Sequence, residues 1–349
     1  MLKVVSTLKG VRTKRKLIVG THNGMHHIDD ALATAIYILE WVLNGILSGA
    51  YPGWNNAFGN INKAIDFVQR NLSDIIVLRS RDTEELMRCS ICIDVGGGDF
   101  DHHPPAVKKF RKNGIEYASA GLVWELCGHD ILIAINELFY SEEDIDLDKV
   151  FQKFDQEVIS VVDMDDTGVY SERQNPFGFV STSRPTRVNN VSMEDYNEGF
   201  KIALVEAISI LLLEHNHYMF KVQCEDILLA NWRDNEKFYN GILEIPSQSI
   251  LWQEIIPDIN DSCPCEFAKI NFVICEHPAG GWCAQAVPPS KTDKYGQRFP
   301  FPKHWAGHTV DLPDITGVPT AFFVNGRFFV KAKTKEDVIA LCQQAYLYH

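Results

Sequence analysis

Four short segments in the first half of this 349-residue chain place histidine and aspartate close together. They are Thr21-His22-Asn23-Gly24 running into His27-Ile28-Asp29-Asp30, then Asp94-Val95-Gly96-Gly97, then Asp101-His102-His103, and last Val162-Asp163-Met164-Asp165-Asp166. Imidazoles and carboxylates are the ligands that Mn²⁺, Fe²⁺ and Zn²⁺ accept in proteins. One ion needs only three or four protein ligands, so these segments offer enough side chains for two ions.

The spacing suggests how the ligands divide between the two ions. His22 and His27 lie on either side of a glycine-containing turn and could hold one ion, Asp29 and His102 could hold the second, and Asp94 could bridge the two. Two such ions activate a bridging water and neutralise phosphate oxygens during an in-line displacement, which predicts phosphoester or phosphoanhydride hydrolysis. With Asp163 completing the second ion, the predicted metal ligands are His22, His27, Asp29, Asp94, His102 and Asp163.

The Asp101-His102-His103 segment carries two further predicted roles. Adjacent histidines do not easily bind the same ion, so we expect His103 to act as the catalytic donor to the substrate phosphate or the leaving oxygen. Asp101 would orient a histidine by accepting a hydrogen bond from it. Alone, the segment could be an ordinary loop, but the other three segments favour the functional interpretation.

The elements that would position these side chains are strands alternating with helices. Apolar runs predict strands at Leu17–Gly20, Asp74–Arg79 and Ser90–Asp94, and helical patterns follow at 29–39, 119–127, 131–139 and 147–162. This alternation predicts a parallel sheet, with sites at the ends of its strands. Asp29 and Asp30 also fit the first turn of a helix, which favours acids whether or not a metal is bound.

The second half of the chain is richer in strands. Its predicted elements are a linker at 171–190, a helix at 193–218, strands at 241–245, 267–276 and 282–287, a hairpin at 321–330 turning on Asn325-Gly326, and a helix at 335–346. We predict a metal-binding catalytic domain over residues 1–188 and a substrate-binding domain over residues 189–349.

Composition limits the function classes. A formal charge of −13 argues against non-specific coating of nucleic acid. The longest apolar stretch, 202–213, is interrupted by Glu206 and is too short to cross a membrane. Nine cysteines without a signal peptide indicate a reducing compartment, cytoplasmic or an organellar matrix, and a protein that is not secreted. The basic first sixteen residues are interpreted as a solvated tail, with a targeting extension as the alternative.

Taken in order, the motifs resemble the Myg family (melanocyte proliferating gene type) of the DHH phosphoesterase superfamily, from Leu17 to about Tyr346. Besides the four segments, the resemblance rests on Ser119-Ala120-Gly121-Leu122, Trp282-Cys283-Ala284-Gln285-Ala286-Val287-Pro288, Arg298-Phe299-Pro300-Phe301-Pro302, Trp305-Ala306-Gly307, Gly317-Val318-Pro319 and Lys333-Thr334-Lys335-Glu336.

The resemblance implies an α/β fold in which a DHH-type domain, with a mostly parallel sheet flanked by helices, is followed by a smaller α+β domain. It further implies an active site in the cleft between them. The implied activity is two-metal phosphodiester hydrolysis, as a 3′-to-5′ exonuclease on RNA or short oligonucleotides. Mn²⁺ is the favoured ion, with Mg²⁺, Fe²⁺, Co²⁺ or Zn²⁺ as alternatives. The competing hypotheses are a small-molecule phosphohydrolase for pyrophosphate-like or nucleotide substrates, and a non-catalytic binding module that contains metal.

The substrate-binding residues are predicted from charge. Relatives in the wider superfamily hold substrate with a Gly-Gly-His loop, whereas the corresponding hairpin here reads Phe329-Val330-Lys331-Ala332. Lysine can bind phosphate as a point charge instead. The predicted substrate-binding residues are Lys108, Lys109, Arg111, Arg298 and Lys331, although a basic run is often only a solvated face. Cys263, Cys265, Cys275 and His277 could form a zinc site, but buried, inert thiols are the preferred interpretation.

Overall fold

The computed structural model describes residues 2–14, 16–51, 60–103, 108–140, 145–169, 176, 192–265 and 268–348. The chain divides into two compact units, Met1–Met219 and Phe220–His349. The domain boundary predicted at 188/189 lies outside the described residues, as does all of the predicted linker except Pro176.

The first unit is built on a parallel sheet. Its described strands are β1 (Lys3–Val5), β2 (Leu17–Thr21), β3 (Ile75–Arg79) and β4 (Ile91–Cys92), in the order β1-β3-β2-β4. Every pairing is parallel, which confirms the three predicted strands and the parallel sheet. β2 and β3 are buried along their whole length, as expected for a sheet covered on both faces.

The amino terminus contradicts its predicted role as a solvated tail. β1 pairs in parallel with β3, with Lys3 opposite Ile76. Leu2 and Leu8 are buried on either side of it. The sequence did not indicate this strand, because six basic residues dominate the composition of the segment. A three-residue edge strand is also too short to give a period-two pattern.

Helices surround this sheet. They are α1 (Ile28–Leu47), α2 (Ile61–Asn71), α3 (Thr83–Leu86), α4 (Ser119–Phe139), α5 (Leu147–Phe154), α6 (Ser160–Asp166) and the first part of α7 (Met193–Arg233), whose residues after Met219 belong to the second unit. A π-helical turn, Asp155–Ile159, joins α5 to α6. The two helices predicted over 119–139 are wrong in number, because α4 runs through Gly128 without a break. A side chain at Gly128 would overlap Trp124 and Phe151, so the glycine serves close packing.

Within the part of the chain that the structure describes, one helix, α1, is long and apolar enough to cross a membrane by length and composition. Its most apolar window is 67% buried inside the protein, and its first turn carries the buried Asp29 and Asp30. Core helices of soluble proteins pass the same test, so α1 is weak evidence for a membrane span. In this structure it packs extensively against α4.

The second unit contains a mixed sheet covered by helices. Its strands are β5 (Phe238–Tyr239), β6 (Ile242–Glu244), β7 (Phe272–Glu276), β8 (Trp282–Ala286), β9 (Ala321–Asn325) and β10 (Phe329–Ala332). They lie in the order β5-β6-β7-β8-β10-β9, and only the β6–β7 pair is parallel among the described pairings. The helices are α8 (Trp252–Ser262), α9 (Leu312–Thr316) and α10 (Lys335–Leu347). The predicted hairpin at Asn325-Gly326 is confirmed, while α8, which contains Pro257, was not predicted.

Candidate metal centre

The carboxyl ends of β2 and β4 bring the first two acidic and histidine segments together. β2 and β4 are hydrogen-bonded neighbours, with Gly20 opposite Cys92. His22 follows β2 directly, and Asp94 lies two residues beyond β4. Asp94 has a left-handed backbone with φ of 58°, a conformation that aspartate and asparagine tolerate better than most residues. This turn places its carboxylate at the strand ends.

The imidazole of His22 faces two carboxylates. Its Nε2 lies 3.2 Å from Oδ2 of Asp30 and 3.4 Å from Oδ2 of Asp94. Its Nδ1 lies 3.0 Å from the carbonyl of Asn23, a contact that places a proton on Nδ1, so that Nε2 is the acceptor whenever the ring is neutral. Two buried carboxylate oxygens and a ring nitrogen therefore converge, and either a proton on Nε2 or a bound cation stabilises them. The buried guanidinium of Arg79 lies 3.9 Å from the same Asp30 oxygen.

A second group of atoms that could bind a metal lies around His102. Its Nε2 lies 3.3 Å from Oδ1 of Asp94, 3.3 Å from Oδ2 of Asp166 and 3.8 Å from Oδ2 of Asp29. The ligand atoms of Asp29, His102 and Asp166 are close enough together to hold one ion, and so are those of Asp94, His102 and His103. Asp94 thus presents one oxygen to His22 and the other to His102, between the two groups.

His103 lies at the solvent side of this cluster. Its side chain is 58% exposed, and its Nδ1 is 2.9 Å from Oδ1 of Asp101 and 3.1 Å from Oδ1 of Asp94. Asp101 is held in turn by the backbone N–H of Gly97, which donates to its Oδ2 at 2.7 Å. The contact between Asp101 Oδ1 and His103 Nδ1 is the one that the predicted orienting role of Asp101 requires.

Asp29 is held by the amino terminus of α4. The backbone N–H groups of Ser119 and Ala120 donate to its Oδ2 at 3.0 Å and its Oδ1 at 2.6 Å. Free N–H groups and the helix dipole both favour a carboxylate there. The Ser119-Ala120-Gly121-Leu122 motif therefore fixes a site carboxylate that lies ninety residues earlier in the chain.

Asp163 and Arg111 form a buried ion pair. Nε and Nη2 of Arg111 both lie 2.7 Å from Oδ2 of Asp163, and Nη1 lies 2.5 Å from Oδ2 of Asp155. Gly121 N–H donates to Oδ1 of Asp163 at 3.1 Å. The structure does not bring Asp163 into either donor group and does not leave the Arg111 guanidinium facing solvent. Asp166, one helical turn later on α6, is the carboxylate that faces His102.

The other predicted residues are more peripheral. His27 is exposed before α1, with its ring 5.6 Å from that of His22, and its backbone N–H donates to Asp30 Oδ1 at 2.8 Å.

Lys109 is exposed, and Lys108 pairs with Glu116 at 2.6 Å. In the second unit, Arg298 donates to Asn271 at 3.1 Å, and the Lys331 ammonium lies 5.3 Å from the Phe322 ring.

The electrostatics of the cluster indicate a deficit of positive charge. Burial, then repulsion from Asp94 and Asp166, raises the pKa of Asp29 well above its usual value. Burial also raises the pKa of Asp166, with Asp94 adding to the effect. Burial alone would lower the pKa of His102, but its contact with Asp94 raises it. Each direction is the one expected when acceptors crowd together, and bound divalent cations relieve that crowding.

Sequence reasoning missed the contact of Asp166 with His102 and the contact of the Asp30 Oδ2 atom with His22. The Val162–Asp166 segment offered three aspartates, and the contact with Arg111 that occupies Asp163 comes from 52 residues away. Asp30 was explained by its place in the first turn of α1, yet only its Oδ1 accepts from that turn, and its Oδ2 faces His22. The alternative zinc site does not form in the described residues, where Cys275 Sγ lies 3.5 Å from Cys283 Sγ and Cys265 is exposed.

These features define an α/β protein with carboxylates and imidazoles clustered at the carboxyl ends of parallel strands, where open α/β sheets place their sites. A family model described as MYG1_exonuc, uncharacterised protein family UPF0160, matches residues 63–346. The chain belongs to that family, which confirms the Myg resemblance.

Relatives match the chain along most of its length. It is 26% identical to the human protein named MYG1 exonuclease, in an alignment of 372 positions, gaps included, that covers 96% of this chain and 90% of that protein. The rat MYG1 exonuclease is 26% identical over 89% of this chain and 80% of its own. The MYG1 protein of Chlamydia trachomatis is 24% identical over 94% of both chains. No solved structure matches significantly.

Proposed function

We propose that this protein is a metal-dependent phosphoesterase of the DHH type, acting as a 3′-to-5′ exonuclease on RNA or short oligonucleotides. The observation that carries the proposal is the position of Asp94, whose two carboxylate oxygens face His22 and His102. A bridging carboxylate between two sets of N and O ligands is the arrangement that two-metal hydrolases require.

The residues fit two divalent ions. His22, Asp30 and Asp94 would hold one, with the exposed His27 beside them. Asp29, Asp94, His102 and Asp166 would hold the other. The donors are all oxygen and imidazole nitrogen, a set that suits Mn²⁺ and also accommodates Mg²⁺, Fe²⁺, Co²⁺ or Zn²⁺. When bound, such ions polarise phosphate oxygens and lower the pKa of water.

The protein's own residues would supply proton transfer and hold the metal ligands in position. His103 is exposed beside the donor groups and can give a proton to the departing oxygen through Nε2, while Asp101 holds its Nδ1. The amino terminus of α4 fixes Asp29, so that its carboxylate does not move as the substrate binds. The Nδ1 contact of His22 with the Asn23 carbonyl keeps Nε2 as the ligand atom.

The choice of substrate draws on the relatives. The human and rat relatives are named exonucleases, which supports a nucleic acid substrate for this chain. A small-molecule phosphohydrolase is the second candidate, and two observations favour it. The formal charge is −13, and the ion pair of Arg111 removes one cation from those predicted to bind a strand.

The test is a time course with 5′-labelled single-stranded RNA and Mn²⁺, resolved on a sequencing gel. A ladder that shortens one nucleotide at a time from the 3′ end supports the exonuclease. Intact RNA together with hydrolysis of pyrophosphate or a mononucleotide supports the second candidate. Absence of hydrolysis of any of these, with metal bound, overturns the proposal in favour of a non-catalytic module.

A further inference from the structure

The second unit presents one face of its sheet with an unusual set of side chains. Register fixes which residues share that face, because Gln285 pairs with Phe329 and Cys283 pairs with Lys331. Phe323 pairs with Lys331 from the other side and therefore lies on the same face. The opposite face carries Ala284, Val330 and Ala332, which are buried in the core that includes α10. The face with Gln285 is therefore the one left for α8 and for ligands.

Beside α8 this face opens into a cavity of about 430 Å³. Its walls are the segment Gln248–Glu254, together with His277, Gln285 and Phe329. Its size falls in the range of small-ligand sites. Phe329 forms an aromatic wall, with the Phe323 ring at 6.1 Å and the His277 ring at 6.5 Å, both edge-on to it.

The polar groups of the cavity are mainly neutral. Three carboxamides line it, from Gln248, Gln253 and Gln285, together with the hydroxyl of Ser249. Gln248 donates to the buried Sγ of Cys283 at 3.1 Å, which fixes its orientation and leaves its carbonyl oxygen available. Nδ1 of His277 accepts from the N–H of Ala279 at 3.1 Å, so Nε2 carries the proton and can donate.

The charge of the cavity excludes phosphate as its main ligand. Glu254 is the one carboxylate among the lining residues, and the lining includes no lysine or arginine. Slight burial and the ammonium of Lys331 lower the pKa of His277, which favours its neutral imidazole. A phosphate group inside would meet a carboxylate without a compensating cation. A planar, neutral group with several donors and acceptors fits instead.

We propose that this cavity binds a nucleobase, with the ring against Phe329 and its hydrogen-bonding edge read by the carboxamides of Gln248, Gln253 and Gln285. Carboxamides pair with base edges in nucleic acid recognition, and aromatic side chains stack on bases. Lys331 lies beside the cavity, where its ammonium can take the attached phosphate. The nature of the ligand, part of a nucleic acid substrate, rests on the proposed function.

The first experiment uses the full chain in buffer without divalent metal. Binding of adenosine, guanosine, cytidine and uridine is measured by calorimetry and saturation-transfer NMR, with ribose 5-phosphate and inorganic phosphate as probes that lack a base. We expect at least one nucleoside to bind with a stoichiometry of one, and neither base-free probe to displace it.

Two variants locate the binding. Gln285→Leu removes one carboxamide at nearly constant volume, and Phe329→Leu removes the stacking wall. Each is expected to weaken nucleoside binding by about 10-fold. Gln343→Leu, at an exposed position of α10, is the matched control and should bind as the wild type does. Failure of every nucleoside to bind, or unchanged affinity in Gln285→Leu and Phe329→Leu, overturns the proposal.

A base-free diester separates this inference from the proposed function. Hydrolysis of bis(p-nitrophenyl) phosphate in Mn²⁺ should be the same in Gln285→Leu as in the wild type, whereas KM for a short RNA should rise by about 10-fold. If the nucleobase site is wrong, the diester is hydrolysed and KM for RNA does not change. If the phosphoesterase is wrong, the diester stays intact while nucleosides still bind.

Discussion

The backbone N–H of Ala120 donates a hydrogen bond of 2.6 Å to Oδ1 of Asp29, so the amino terminus of α4 fixes a carboxylate of the candidate metal centre. The next N–H of that helix, from Gly121, donates to Asp163. One helix end therefore organises two acidic segments that lie 134 residues apart in the chain.

Gly121→Ala tests this arrangement. A Cβ at position 121 would overlap the carboxylate of Asp163 and the ring of Tyr117, so the helix end must shift. We expect the free energy of unfolding to fall by about 1–3 kcal/mol and Mn²⁺ affinity to fall with it. Thermal unfolding without metal and Mn²⁺ titration measure the two effects. Gly98→Ala, where a Cβ meets nothing within 4 Å, is the control, and equal behaviour of the two variants would refute the packing argument.

Arg111→Met distinguishes a structural from a substrate-binding arginine. The Arg111 side chain is 6% exposed and pairs with Asp155 and Asp163, so its loss leaves a buried carboxylate without its partner. Breaking such a pair costs about 3–5 kcal/mol of stability, measurable by urea unfolding. Lys109→Met, at an exposed position, should leave stability within about 0.5 kcal/mol of the wild type. Unchanged stability in Arg111→Met with a raised KM for RNA would instead assign the residue to the substrate.

His103→Ala separates catalysis from metal binding. The side chain is 58% exposed at the edge of the donor groups and is proposed to donate a proton to the departing oxygen. We expect kcat to fall by about 10²–10⁴ while the number of bound Mn²⁺ ions stays the same. Asp101→Asn should give a smaller loss, because it alters the partner of His103 Nδ1 but leaves the imidazole itself in place. A His103→Ala enzyme with full turnover would remove this residue from the mechanism.

His215 predicts an acid sensitivity of folding. It is fully buried between the rings of Trp124 and Phe154, with centroid distances of 5.4 and 4.3 Å, and burial lowers its pKa to about 3. The unfolded chain binds a proton at about pH 6.5 and the folded protein does not. Its contribution to stability is therefore complete above pH 6.5 and falls by about 1.4 kcal/mol per unit as the pH decreases toward 3.

The comparison of His215→Phe with the wild type isolates this effect from the other titrating groups. We expect stability to depend less steeply on pH between 6 and 4 in the variant, by urea unfolding at each pH. His129→Phe, which removes a half-exposed histidine, is the control. Parallel pH dependence in the wild type and His215→Phe would show that position 215 does not carry the effect.

The sequence predicted those features that local pattern determines. The buried strands Leu17–Thr21 and Ile75–Arg79 and the hairpin at Asn325-Gly326 follow from apolar runs and turn chemistry. Four segments with metal-binding chemistry were evident, and His22, Asp94 and His102 lie together in the structure. Their roles as ligands stay predictions until metal binding is measured.

What the sequence left open depended on contacts between residues distant in the chain. Asp163 and Asp166 are three residues apart on α6, and local pattern cannot tell which of them faces His102. In the structure the guanidinium of Arg111 pairs with Asp163, and Asp166 is the carboxylate that faces His102. Gly128 resembles a helix end, but its absent side chain makes room for Trp124 and Phe151. The carboxamides of the second-unit cavity come from three elements and share no motif.

The most direct test of the account is the number of Mn²⁺ ions bound by the wild type and by Asp94→Asn, measured by equilibrium dialysis with elemental analysis. Asparagine tolerates the left-handed φ of 58° at this position, so the backbone conformation should be kept. The account predicts two ions per chain in the wild type, loss of both in Asp94→Asn, and loss of hydrolysis with them. Two ions retained in Asp94→Asn would contradict the bridging carboxylate on which the proposed function depends.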